Sequence, residues 1–115
     1  MDEFDIPIFK KAYELYKEFY LCVRSFPRHD KFSLGHKCEL TISEVIENIL
    51  QASQQIKGDK LPYLDKASVK LNIFRIYIRL AKEVRALDSK KYVAIQEMTD
   101  EIGRMLGGWR RSVIK

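Results

Sequence analysis

Arg75, Arg79 and Lys82 recur at four- and three-residue intervals, so a helix would set them in one polar stripe. Arg104 and Arg111, seven residues apart, would share one side of a second helix. The chemistry open to them is phosphate recognition, because a guanidinium offers two N–H groups to one phosphate. The first three could instead pair with acidic residues of a neighbouring helix or subunit. The remaining reactive side chains do not converge. His29 and His36, the only histidines, fall in a connection and at a helix start, with no HExxH or ExxH pairing. Glu44 and Glu47 have neither a histidine nor a second ExxE beside them and read as a solvated helix face, and there is no glycine-rich phosphate loop. Cys22 and Cys38 lack CxxC spacing and read as reduced core thiols. The expectation is a protein that is not an enzyme, with no metal and no cofactor.

Charge is unevenly distributed. Residues 1–60 carry nine Lys/Arg against ten Asp/Glu, whereas residues 61–115 carry twelve against six, so the net +5 arises in the second half. A basic half attracts polyanions through counterion release, and it also describes an ordinary solvated surface. The acidic start Met1-Asp2-Glu3-Phe4-Asp5 has no basic or apolar leader character, and no apolar run approaches the ~18 residues of a membrane span. A cytoplasmic protein without a membrane partner is expected.

The helices that must position these residues are legible from periodicity. Apolar residues recur at three- and four-residue intervals throughout, which predicts an all-α chain of four helices over about 7–25, 33–57, 61–87 and 89–112. Pro7 suits the start of the first, whose expected inner face is Phe9, Ala12, Tyr13, Tyr16, Phe19, Tyr20 and Val23. Phe26-Pro27 ends it, and Arg28-His29-Asp30-Lys31 reads as a polar connection. In the second helix Cys38, Ile42, Val45, Ile49, Ala52 and Ile56 share a face, with Gly58 as the stop. Short connections make sequential helices antiparallel neighbours, giving an up-down-up-down four-helix bundle in a single domain, residues 1–115.

The last two helices are unusual. The third is apolar on two sides, Ala67, Leu71, Phe74, Ile78 and Ala81 on one and Ile73, Ile76, Leu80, Val84 and Leu87 on another. A lone bundle buries only one such side, which predicts a homo-oligomer. In the fourth, Ile95, Met98, Ile102, Met105, Leu106, Trp109 and Val113 form a core face, while Gly103, Gly107, Arg110 and Ile114 form a separate strip. Glycine costs a helix about 1 kcal/mol relative to alanine, so Gly103 and Gly107 are expected to be contact positions, as are Ile73, Ile76 and Leu80.

Three groups of residues carry a resemblance along essentially the whole chain: Phe26-Pro27-Arg28 with Leu34-Gly35; Leu71-Asn72-Ile73-Phe74-Arg75 leading to Arg79-Leu80-Ala81; and Glu101-Ile102-Gly103-Arg104-Met105-Leu106-Gly107-Gly108-Trp109. With these the chain resembles the four-helix-bundle family of Avd, the accessory variability determinant protein of diversity-generating retroelements. Related bundle proteins are encoded in intervening sequences of ribosomal RNA genes. The resemblance implies a homopentameric barrel of bundles that binds RNA or DNA, associates with a reverse transcriptase and supports mutagenic cDNA synthesis. The ribosomal-RNA branch would instead imply a structural oligomer of unknown partner. Arg75, Arg79, Lys82, Arg104 and Arg111 are the residues expected at phosphates.

Overall fold

A computed structural model describes residues 3–114, which are helical with short connections and, among the described residues, without strands. We label the four long helices α1 (Pro7–Val23), α2 (His36–Ser53), α3 (Leu61–Glu83) and α4 (Ser89–Ile114). Each packs on the next in sequence and α1 closes against α4, so α1 and α3 lie on the diagonal of a four-helix bundle. Ion pairs give the direction of α3 against α4: Asp65 meets Arg110 and Arg75 meets Asp100, so moving up one helix moves down the other. At the diagonal, Phe19 of α1 meets Phe74 of α3 edge-on at 5.6 Å between ring centroids.

The structure corrects several boundaries. The tetrad Arg28–Lys31 is not a loop. Pro27, extended at φ −52° and ψ 148°, starts a helical turn over Arg28–Asp30, and its carbonyl accepts the Lys31 N–H at 2.9 Å. Proline suits that position because the first residues of a helix have no internal acceptor for an N–H. This turn continues through a wide π-helical turn, Lys31–Gly35, into α2, and its exposed face left no apolar period to read. The expected start at Ser33 falls inside the π turn.

Gly58 is not the stop of α2 either. The helix ends at Ser53, and Lys57–Asp59 forms a separate 3₁₀ turn in which Gly58 has no positive φ. Ile56, extended at φ −67° and ψ 159°, has left the helical register and is 74% exposed instead of buried. Lys60 performs the capping instead, its Nζ donating to the Ala52 carbonyl at 2.8 Å, where a cation opposes the helix dipole. The third helix stops at Glu83 and not at Leu87. Arg85 takes the left-handed conformation, φ 66°, and the Ala86 and Arg85 N–H groups reach back to the Ala81 and Lys82 carbonyls. Leu87 is therefore a buried loop residue and not part of the outer side of α3. Asp88 caps α4, its Oδ1 accepting the Lys91 N–H at 2.8 Å.

The inner face of α1 is also rotated from expectation. Ile8, Ala12, Leu15, Phe19, Cys22 and Val23 are buried, Phe9 and Tyr16 are half-buried, and Tyr13 and Tyr20 lie outside. Tyrosines have apolar bodies, so the pattern supports two overlapping stripes; the phenols belong where the hydroxyl can meet water. On α2 and α4 the expected core faces otherwise hold, with Met98, Met105, Trp109 and Val113 packed at the margin. Thr99, fully buried, was not foreseen in that core; its hydroxyl donates to the Ile95 carbonyl at 2.7 Å. Both cysteines are free and buried. Burial pushes the Cys38 thiol up to about 12 and raises that of Cys22.

Phe26-Pro27-Arg28 and Leu34-Gly35 are explained by one corner. Phe26 is buried edge-on against Phe19, and Leu34 and Gly35 are buried where α2 crosses the end of α1. A Cβ on Gly35 would lie 2.5 Å from Val23 Cγ2 and 3.3 Å from the Asp30 carbonyl, so the close approach requires glycine.

Candidate nucleic-acid interface

Arg75, Arg79 and Lys82 emerge from α3 beside α4. Arg75 is the most engaged: it donates from Nη1 to Asn72 Oδ1 at 2.7 Å and from Nη2 to Asp100 Oδ1 at 3.1 Å, and Nη2 reaches the Thr99 carbonyl at 3.5 Å. Gly103 makes room for this crossing, since a Cβ there would stand 2.7 Å from Arg75 Nη2 and 3.7 Å from Leu71. Arg79 is much freer. Its side chain is 74% exposed and lies 3.9 Å from Glu83, an i,i+4 pair of the exposed kind that contributes little. Lys82 sits over the Tyr92 ring, 4.8 Å from its centroid. Arg75 and Arg79 line a shallow depression of about 210 Å³ together with Ile76, Tyr92 and Gln96.

Arg111 is placed apart from this group, whereas Arg104 follows Gly103 and lies one turn from Asp100. Both are exposed and make no hydrogen bond or ion pair among the described residues. At 1.5 Å per residue, Arg111 lies about 22 Å along α4 from Gln96. Its guanidinium folds back over the glycines: a Cβ on Gly107 would meet Arg111 Nη1 at 3.4 Å, and one on Gly108 would meet Nη2 at 3.8 Å. No other helix comes within 4 Å of those two positions. Arg110, in the same strip as Gly107, bonds Asp65 at 2.7 Å. Thus Arg75, Arg79 and Lys82 gather at one part of the α3–α4 side, Arg104 lies one turn beyond Asp100, and Arg111 lies farther along α4.

The outer apolar stripe of α3 remains uncovered. Ile76 is 66% exposed, and Leu80 and Val84 are also exposed, whereas Ile73 is half-buried in a groove with Leu40 and Tyr77. Val69, also exposed, extends the stripe by one turn. Sequence reading also missed Asp100, Asn72 and Tyr92 as the partners of the basic stripe. Their signal lay in the α3–α4 register, which is visible only once the two helices are paired.

Among the described residues no group of three His, Cys, Asp or Glu side chains could hold a metal, and every buried side-chain polar atom has a hydrogen-bond partner. His29 and His36 lie at the surface of the first corner. No helix of the described residues is long and apolar enough to cross a membrane. The arrangement offers flat cations and an apolar helix face.

Among curated proteins none matches the chain. A family model described as bAvd-like matches residues 7–113, spanning all four helices, the glycine strip and the basic stripe. The match takes in nearly the whole chain, and the chain belongs to the bAvd-like family, whose members are accessory and non-catalytic.

Proposed function

We propose that this chain is a non-catalytic accessory subunit of a diversity-generating retroelement, which as a cytoplasmic homo-oligomer, a pentamer, binds nucleic acid and the reverse transcriptase and supports mutagenic cDNA synthesis. Membership of the bAvd-like family across residues 7–113 carries this reading. The uncovered stripe of α3, with Ile76 and Leu80 exposed, supports association with further copies. The exposed cations Arg79, Lys82, Arg104 and Arg111 support phosphate contact, and repetition around an oligomer multiplies their field. Arg75, already bonded to Asp100 and Asn72, orients the stripe and has fewer N–H groups left for a phosphate.

A salt titration of RNA and DNA binding tests the nucleic-acid component. Each true phosphate contact removed should lower the salt slope by about 0.7 to 0.9. Arg104→Glu with Arg111→Glu is a cleaner variant than one at Arg75 or Arg79, where a glutamate would face Asp100 or Glu83. The expected result is weaker binding and a shallower slope with assembly retained; undiminished affinity removes these residues from the interface. Co-purification with the reverse transcriptase of the same retroelement tests the other component, and its absence at low salt would favour a structural oligomer of the ribosomal-RNA type.

A further inference from the structure

On the outer side of α1 cations and aromatic rings alternate: Tyr13, Lys17, Tyr20 and Arg24 follow one another at intervals of four, three and four residues and so lie along one stripe. Tyr13 and Tyr20 are each 46% exposed, and Arg24 lies over the Tyr20 ring, 5.0 Å from its centroid. The stripe runs into the corner where the π turn projects Phe32, the large apolar side chain with 73% exposure, beside Lys31. Two depressions, about 360 and 510 Å³, lie along this path and share Tyr20. Glu39 is the one carboxylate among the residues lining them.

The core is filled by Ala12, Leu15 and Phe19 from the other side of α1, while Tyr13 meets Phe4 edge-on at 5.0 Å between ring centroids and keeps 46% of its surface exposed. The depressions along this face are lined by α1, the π turn and α2, with no residue of α3 among them. Flat exposed rings interleaved with cations match the two parts of an unpaired nucleotide strand. Bases stack on aromatics whatever their identity, and the phosphates between them meet the cations. Tyr13 and Tyr20 are about 10 Å apart along the helix, roughly three stacking steps of 3.4 Å. A duplex keeps its base faces internal and could use only the cations.

We propose that the outer face of α1, continued by Phe32, is a track for single-stranded nucleic acid, on which Tyr13, Tyr20 and Phe32 stack bases while Lys17, Arg24 and Lys31 hold the intervening phosphates. The inference rests on the nucleic-acid reading above and adds a preference for unpaired strands at a second face. It is separate from the phosphate contacts of α3 and α4.

The test uses the full chain with a single-stranded DNA oligonucleotide carrying 2-aminopurine and with the same sequence as a duplex. The variant is Tyr20→Ala/Phe32→Ala, and Tyr20→Phe/Phe32→Tyr keeps both rings. Binding of the single strand should quench 2-aminopurine, the alanine variant should lose about tenfold or more in single-strand affinity with the quenching, and the ring-preserving variant should restore both. Duplex affinity, melting temperature and oligomeric state should not change. Equal loss for single strand and duplex, or no loss for either, overturns the track but leaves nucleic-acid binding in place. A wild-type chain that binds neither ligand overturns the underlying reading as well. Loss of association in the alanine variant would make the face a contact between copies, and the inference would fall.

Discussion

Along α3, Leu71, Phe74 and Ile78 are 2% exposed or less, while Ile76 is 66% and Leu80 is 45% exposed on the other side of the same helix. The two faces are built from similar residue types, so hydrophobicity alone does not separate them. What separates them is supply. The bundle offers α3 one apolar interior, which α1, α2 and α4 complete from Phe19, Ile42, Val45, Ile95 and Ile102. The chain folds around one face and leaves the other exposed, the face proposed above to meet a further copy.

The sharpest way to break this comparison is truncation on each face. Phe74→Ala should cost about 3–5 kcal/mol of unfolding free energy, the range for deleting a buried ring. Ile76→Ala, measured where the chain is monomeric, should remain within about 0.5 kcal/mol of wild type. Urea denaturation decides, and a comparable loss at both positions would show that the outer face already has an intramolecular role.

The glycines repeat the contrast on a smaller scale. Gly35→Ala forces a Cβ against Val23 and the Asp30 carbonyl and should cost about 1–3 kcal/mol. Gly107→Ala meets only Arg111 and should raise monomer stability by about 1 kcal/mol through helix propensity. If Gly107 is a contact between copies, Gly107→Leu impairs assembly while leaving the monomer folded. Intact assembly and an unchanged melting temperature would assign the glycine another role.

A third test reads the buried face through Cys38. Its thiol titrates at about 12 in the folded chain against 9.0 for the ordinary group. The folded state therefore holds the proton more tightly, and this contribution is fully present below pH 9 and lost as pH rises towards 12. The loss is about 1.4 kcal/mol per pH unit within that window. Between pH 7 and 10 the unfolding free energy of wild type should fall by about that much more than that of Cys38→Ala. An equal fall in both would show that the thiol does not carry the effect. The smallest expected change is Arg85→Gly. It relieves a left-handed residue and should gain at most about 1 kcal/mol in urea denaturation, because glycine also enlarges the unfolded ensemble. A loss would mean that the Arg85 side chain itself contributes to stability.

The fold was legible wherever one period dominated. On α2 and α4 the run from Cys38 to Ala52 and the run from Ile95 to Leu106 point inward as their spacing requires. It was misread where two stripes overlapped, as with the tyrosines of α1, and where an exposed turn carried no period, as at Arg28–Asp30. The end of α3 was hidden for a different reason. An arginine occupies the left-handed position that glycine usually marks, so no residue type signalled the stop. For the basic stripe, spacing identified Arg75, Arg79 and Lys82, but their differing freedom depends on Asp100 and Tyr92 from another helix. Sequence distance concealed those partners.

Light scattering on a size-exclusion column, with wild type beside Ile76→Asp/Leu80→Asp, tests the central claim that another copy covers the outer face of α3. The account predicts a wild-type oligomer, five times the 13.6 kDa chain, and a variant at the monomer mass with helical content unchanged. A wild-type chain that elutes as a 13.6 kDa monomer at micromolar concentration, or a variant that assembles as wild type does, would contradict it.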